Sequence, residues 1–198
     1  ANSGYGGSTA TGAGATALGG SRASGTDSFA AAIANNASSY GGIGNASISV
    51  GSLSKSSSTR SVAIGYGATA SSTSAVAIGG FNATASGSYS FASGYNALAN
   101  KTGKFAYSGQ AGSWGSGFSQ AGMMVLVSDT TSATPEVLTA NNSSSADANN
   151  QVILPNNSAY AFSGTIVARQ QASQGTASAA WKIEGLIRRE GSAGTTVL

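Results

Sequence analysis

Charge is what this sequence has least of. Charged residues occupy 8% of 198 positions, against about 25% in an ordinary soluble domain. The net charge is only +3 and the hydrophobic fraction is 40%, so the high-charge, low-hydropathy pattern of disordered chains is excluded. Cysteine is absent, which removes disulfides and thiolate chemistry. Histidine is absent too, and with it the commonest general base and metal ligand. No apolar run approaches the ~18 residues of a spanning helix. Nine bases are spread along the chain, and only Arg188 and Arg189 are adjacent. No basic stripe can therefore neutralise a run of phosphates, which argues against a nucleic-acid partner. The start, Ala1-Asn-Ser-Gly-Tyr5, has neither an initiator Met nor a secretory leader. It already sits in repetitive sequence, so more protein is expected upstream.

What fills the space is Gly, Ala, Ser, Thr and Asn. Composition changes near residue 122. Residues 1–122 hold 24 of the 29 glycines, no proline and a single acid, Asp27. Residues 123–198 hold Pro135, Pro155 and five acids. Two regions are expected, 1–122 repetitive and 123–198 not, the second incomplete at its end.

The repeat emerges on stacking. Ser61-Val-Ala-Ile-Gly-Tyr-Gly-Ala-Thr-Ala70 returns as Ala75-Val-Ala-Ile-Gly-Gly-Phe-Asn-Ala-Thr-Ala85, then as Ser90-Phe-Ala-Ser-Gly-Tyr-Asn-Ala97 and Lys104-Phe-Ala-Tyr-Ser-Gly-Gln-Ala111. Ala17–Ala23 fits the same frame. Anchors at Leu18, Ile33, Ile48, Ile64, Ile78, Ser93 and Tyr107 are 14 to 16 residues apart. So short a period means a solenoid with one or two short strands per coil. Val62-Ala-Ile64 alternates as a strand, Gly65 and Gly67 permit a tight turn at positive φ, and Ala68 and Ala70 begin a second strand. Seven such coils at ~4.8 Å spacing give a rod of roughly 35 Å. The interior of so short a coil is narrow, and Ile78 is expected at an inward position.

The pattern Ser61-Val-Ala-Ile-Gly-x-x-Ala-x-Ala70 resembles the head repeat of YadA-like trimeric adhesins, over roughly residues 15–112 and most closely over 61–97. The resemblance implies a left-handed parallel β-roll packed as a homotrimer. It implies no particular ligand.

Residues 123–198 read as an antiparallel β domain of sandwich or jelly-roll type. Expected strands are Met123–Ser128, Glu136–Thr139, Gln151–Leu154, Ala159–Gln170, Ala179–Arg188 and Thr195–Leu198. Asn141–Asn150 is a polar loop, and Pro155-Asn-Asn157 and Gln174-Gly175 are turns. The stretch Val152–Arg169 with Ala180–Arg188 resembles C-terminal domains of phage tail-fibre proteins. The final Thr-Thr-Val-Leu198 reads as a strand that needs another strand to cover it.

Catalytic chemistry is not nominated. Asp129, Glu136, Asp147, Glu184 and Glu190 are scattered, and no spacing selects a glycosidase pair. Glu184 is expected to pair with Lys182 or Arg188. The Gly runs lack the Lys-Ser/Thr of a phosphate loop, and neither Ser128–Thr131 nor the Asp147 loop has calcium-loop oxygens. An ion held on a threefold axis by Asn or Asp from three chains is the one metal arrangement left open. No cofactor is implied. Asn36, Asn45 and Asn82 head sequons, a chance outcome in so Asn- and Ser-rich a chain.

Sugar recognition uses aromatic faces flanked by amides. The candidate ligand-binding residues are Asn156, Asn157, Tyr160, Arg169, Gln170 and Gln171, with Gln174 nearby. Phe162 and Trp181 are expected in a core, and Tyr66, Phe81 and Tyr95 in packing between chains. The leading expectation is a receptor-binding phage tail fibre on the virion, not an enzyme. Its partners would be a host-surface glycan or outer-membrane protein and further tail proteins upstream. The alternatives are the passenger of a bacterial trimeric autotransporter adhesin, at the cell surface, and a tailspike-type depolymerase.

Overall fold

The computed structural model describes residues 7–32, 39–109, 115–143, 145–171 and 177–198. The anchor Ile33, the Asn36 sequon and the Gln174-Gly175 turn lie outside these. Among the described residues there is no α-helix, and the only helical turn is a short 3-10 segment at Ala193–Thr195.

Seven coils form a solenoid, each giving one strand to each of two parallel sheets. The first sheet stacks β1 (Thr9–Ala10), β3 (Arg22–Ala23), β5 (Gly41–Gly42), β7 (Lys55–Ser56), β9 (Thr69–Ala70), β11 (Thr84–Ala85) and β13 (Leu98–Ala99). The second stacks β2 (Thr16–Leu18), β4 (Phe29–Ala31), β6 (Ile48–Val50), β8 (Val62–Ile64), β10 (Val76–Phe81), β12 (Phe91–Tyr95) and β14 (Phe105–Ser108). A last strand, β15 (Ala121–Met123), joins β14 antiparallel.

The interior is made of the smallest side chains. The centre of each strand in the second sheet is inward, and register aligns Ala17, Ala30, Ser49, Ala63, Ala77, Ala92 and Ala106 in one column. Eleven alanines from 63 to 106 form a continuous core, each with no exposed surface. Serines fill the same columns elsewhere: Ser49 and Ser54 meet across the interior at 2.8 Å, and Ser61 donates to the Ser58 carbonyl at 2.7 Å. Two sheets this close leave no room for a branched chain.

That geometry corrects two expectations. Ile78 is not inward: it is 38% exposed, while its neighbour Ala77 is fully buried. The larger residue of each alternating pair faces out because only the smaller one fits. The anchors also shift in the early coils. Leu18 pairs with Ala31, and Ala31 with Val50, so Ile48 does not hold the expected place. Ile48 aligns with Phe29 and Val62 instead. The true repeat is the inward small residue. Apolar bulk misleads because it sits on the outside, where its position is free to vary.

Turns stack as well as strands. Asp27, Ala46, Arg60, Ser74, Tyr89 and Gly103 occupy one turn position and share positive φ, from 51° to 64°. The N–H of each donates to a carbonyl of the preceding coil, such as Arg60 to Asn45 at 2.8 Å and Ser74 to Thr59 at 3.0 Å. These bonds hold non-glycine residues in a conformation that costs roughly 1 kcal/mol or more each. The other turn uses glycine as expected, at Gly65 and Gly67 with φ of 123° and 63°.

The far end of the solenoid is capped. Gln120 mimics a strand: its Oε1 accepts from the Leu98 N–H at 2.9 Å and its Nε2 donates to the Leu98 carbonyl at 3.2 Å. Strand β15 covers β14, and the Asn149 carbonyl accepts from the Thr102 N–H at 2.8 Å. Lys101 Nζ donates to the Ala148 carbonyl at 2.6 Å. Lys104 stands where Ser90 stands one coil earlier, as the Phe91–Phe105 register requires. Its burial, with Lys101 nearby, lowers its pKa below the ordinary lysine value. The loop behind the cap is knitted by Asn150, which is buried and donates to Asn141 Oδ1 and the Ser145 carbonyl at 3.1 and 3.0 Å.

Residues up to 151 therefore belong with the solenoid, and 152–198 form a second compact unit. The compositional change at 122 and the structural division fall at different places, because the cap is built from nonrepeating sequence. Of the strands expected between 123 and 154, Val127 and Thr139 make a single antiparallel bridge. Gln151–Leu154 is not a strand.

The second unit is a ribbon of β16 (Ser158–Arg169) and β17 (Ser178–Arg189), antiparallel and paired over all twelve residues. Val197 bridges back to Arg188. Within one chain this is a two-stranded sheet, not the expected sandwich. Among the described residues of the second unit, β16 and β17 are the strands that form a ladder, and no second layer packs on them.

Candidate attachment surfaces

Two apolar surfaces, one in each unit, are left uncovered by the described residues of that unit. The first is the outer face of the solenoid's second sheet. Phe29, Ile48, Val62, Val76, Phe91 and Phe105 line one column, and Val50, Ile64, Ile78 and Tyr107 the next. Phe91 and Phe105 stack at 5.3 Å with planes 7° apart. The outer face of the first sheet, by contrast, carries Arg22, Lys55, Thr69 and Thr84.

The second lies on the ribbon. Its register puts Tyr160 opposite Ile187, Phe162 opposite Gly185, Gly164 opposite Ile183 and Ile166 opposite Trp181, all on one face. A Cβ at Gly185 would lie 2.9 Å from the Phe162 ring, so the glycine makes room for it. The other face is mixed: it carries Ser163, Thr165, Lys182 and Glu184, with Lys182 and Glu184 paired at 3.1 Å, and also the exposed Val167 and Leu186. Trp181 is 52% exposed, so the described residues do not supply the core expected around it. Burial raises the Tyr160 pKa above the ordinary phenol value.

The six candidate ligand residues separate into two groups. Asn156, Asn157 and Tyr160 sit at one end of the ribbon. Asn156 Nδ2 donates to the Gly191 carbonyl at 2.8 Å, and Asn157, at φ 57°, donates its N–H to Glu190 at 3.0 Å. Arg169, Gln170 and Gln171 sit at the other end, where the Gln170 N–H donates to Ala177 at 2.9 Å. The nine residue steps of extended strand from Tyr160 to Arg169 put roughly 30 Å between the groups. One chain does not bring them into a single site.

Tyr66, Phe81 and Tyr95 form a ladder within the chain. Their centroids are 5.4 and 4.9 Å apart and their planes are within 14°. Both faces of Phe81 and one face each of Tyr66 and Tyr95 are spent within the ladder. That arrangement suits corner packing better than sugar stacking.

The C-terminal acids all have partners. Asp129 accepts from Asn142, Glu136 from Ser128, and Asp147 from the Asn149 and Asn150 N–H groups. Glu184 pairs with Lys182 as expected, and Glu190 with Arg188. Among the described residues, no three His, Cys, Asp or Glu side chains cluster as a metal site.

Comparison with known families agrees with the coil geometry. The YadA head domain repeat matches residues 43–68, 56–81 and 70–97. These ranges span coils whose inward columns are the small residues Ser49, Ala63, Ala77 and Ala92. The match supports a trimeric-adhesin-like protein with a surface-exposed, adhesin-type solenoid. No curated protein and no solved structure matched the chain. No helix among the described residues is long and apolar enough to cross a membrane.

The sequence reading found the strands of the ribbon but missed the apolar run along the middle of one face. The signal was available in the period-two run Tyr160, Phe162, Gly164, Ile166 and its counterpart Trp181, Ile183, Gly185, Ile187.

Proposed function

We propose that the chain is one subunit of a homotrimeric attachment fibre that binds a cell surface and turns over no substrate. The observation that carries this reading is the apolar outer face of the solenoid, on a repeat matched by that of YadA heads. No element among the described residues of the solenoid unit covers Val62, Ile64, Val76 and Ile78, and a threefold bundle of solenoids would bury them. The solenoid then acts as a stiff spacer, and the nonrepeating sequence after it is free to vary its surface chemistry. Three copies of a weak site at a shared tip would gain avidity through high effective concentration. The ligand class is a cell-surface glycan or an outer-membrane protein.

Two settings fit. The head repeat favours a bacterial trimeric adhesin. The Val152–Arg169 and Ala180–Arg188 sequences favour a phage tail fibre. Antibodies against the purified chain separate them by labelling either virion tails or bacterial envelopes. For the activity, the full chain is incubated with susceptible cells and with cells stripped of surface polysaccharide. Saturable adsorption without release of soluble oligosaccharide is expected. Release of oligosaccharide would overturn the non-enzyme reading, and absence of saturable adsorption would overturn the attachment reading.

A further inference from the structure

The ribbon is an incomplete object. A two-stranded sheet is marginal alone, and this one exposes both an apolar face and two strand edges. The ladder fixes which backbone groups point outward. Arg188 exchanges both its N–H and C=O with Val197, each at 2.9 Å, on the side away from β16. Outward groups alternate along an antiparallel strand, so Lys182 and Glu184 also turn theirs away from β16. Their partners Thr165 and Ser163 then turn theirs away from β17. Beyond the bridge at Arg188, no strand among the described residues pairs with either edge.

The two edges are different strands running in opposite directions. The β16 edge of one copy therefore matches the β17 edge of a second copy in antiparallel sense, head to tail. Such an interface either closes into a ring or runs on as a filament. We propose that three ribbons close into one six-stranded antiparallel ring, with β16 of each copy hydrogen-bonded to β17 of the next. Phe162, Ile166, Trp181 and Ile183 fill its interior. The number three rests on the homotrimer reading above. The occupant of the apolar face is thus two further copies of the same ribbon.

Side-chain size supports closure. The apolar face mixes side chains of very different size, with Gly164 following Tyr160 and Phe162 on one strand and Gly185 following Trp181 and Ile183 on the other, which suits the taper of a small closed barrel. A ring of two ribbons would have four strands and could not hold Phe162 and Trp181 between them. The Lys182–Glu184 pair lies on the face that would remain outside, where charge discourages further stacking.

The test is residue-resolved amide hydrogen exchange on the full chain, with sedimentation run in parallel. Outward-edge amides of Ser163, Thr165, Lys182 and Glu184 are expected to be slowed by about 100-fold or more in the assembled protein. In Ile183→Lys, which places a charge inside the ring, that protection should vanish while the solenoid stays trimeric with the Ala77 amide protected. Thr165→Lys, on the outer face, should change neither. A trimer whose edge amides exchange at unprotected rates would overturn the ring and leave the homotrimer standing. A monomer would overturn both. Edge protection that persists in a dilute monomer would show that the chain covers its own ribbon, and protection unchanged in Ile183→Lys would refute the inward placement of the apolar face.

Discussion

Replacing Ala77 by leucine probes the inverted burial pattern most sharply. Ala77 has no exposed surface and lies in register between Ala63 and Ala92 in the adjacent coils. Those strands are about 4.8 Å away on either side, and the opposite sheet offers Ala70 and Ala85. Three added carbons find no void, and the surrounding atoms are backbone or methyl groups that cannot rotate aside. Overpacking costs typically 1–3 kcal/mol, and the upper end applies here because two sheets must separate. A loss of about 3 kcal/mol lowers the folding constant by roughly two orders of magnitude. Urea denaturation followed by circular dichroism, at matched protein concentration, reads this as a lower midpoint with unchanged slope. Ile78→Ala makes the contrast. In an isolated chain its half-exposed side chain contributes little, whereas in an assembly it should cost about 2–5 kcal/mol, with a midpoint that moves with protein concentration. An Ala77→Leu variant as stable as the parent would refute the narrow alanine interior.

Further outcomes follow from single contacts. Ser74→Gly relieves a positive φ and should stabilise by about 0.5–1 kcal/mol in thermal unfolding, whereas Gly65→Ala, whose Cβ would strike the Gly79 carbonyl, should destabilise by more than ~1 kcal/mol. Gln120→Ala removes two bonds to Leu98 and should cost about 1–3 kcal/mol, with faster exchange at the Leu98 amide. Lys104 has a folded-state pKa below its unfolded value, so the unfolded chain binds more protons in the window just below 10.5. Stability should therefore rise with pH through that window, and Lys104→Met should abolish this rise. Trypsin should leave the folded protein uncut at Arg60 and Lys104 at room temperature, since both are held in hydrogen-bonded turns and Lys104 is half-buried.

The solenoid was legible because its rule is simple. Small residues recur with glycine in phase, and from residue 61 onward every coil follows the 14- or 15-residue spacing that the register confirms. Before that the phase was lost. Ala30 and Ser49 are neighbours in the column although 19 residues separate them, and apolar bulk at Ile33 and Ile48 drew the alignment away. Positive φ at Ala46, Arg60 and Tyr89 was invisible, because stacked hydrogen bonds enforce it and no residue preference announces it. The ribbon strands were found within one residue at most ends, since their alternation is long. The sandwich was not, because strand propensity in Gln151–Leu154 and Met123–Ser128 is overridden when those segments serve as cap and connection. The candidate ligand residues were grouped by chemistry, and the ribbon holds them at opposite ends.

Sedimentation equilibrium on the full chain at micromolar concentration tests the central claim directly, because both uncovered apolar surfaces demand partners of the same kind. A single species at three times the chain mass, persisting on dilution, is the predicted result. A stable folded monomer, with the outer faces of β8, β10 and the ribbon left in water, would contradict it.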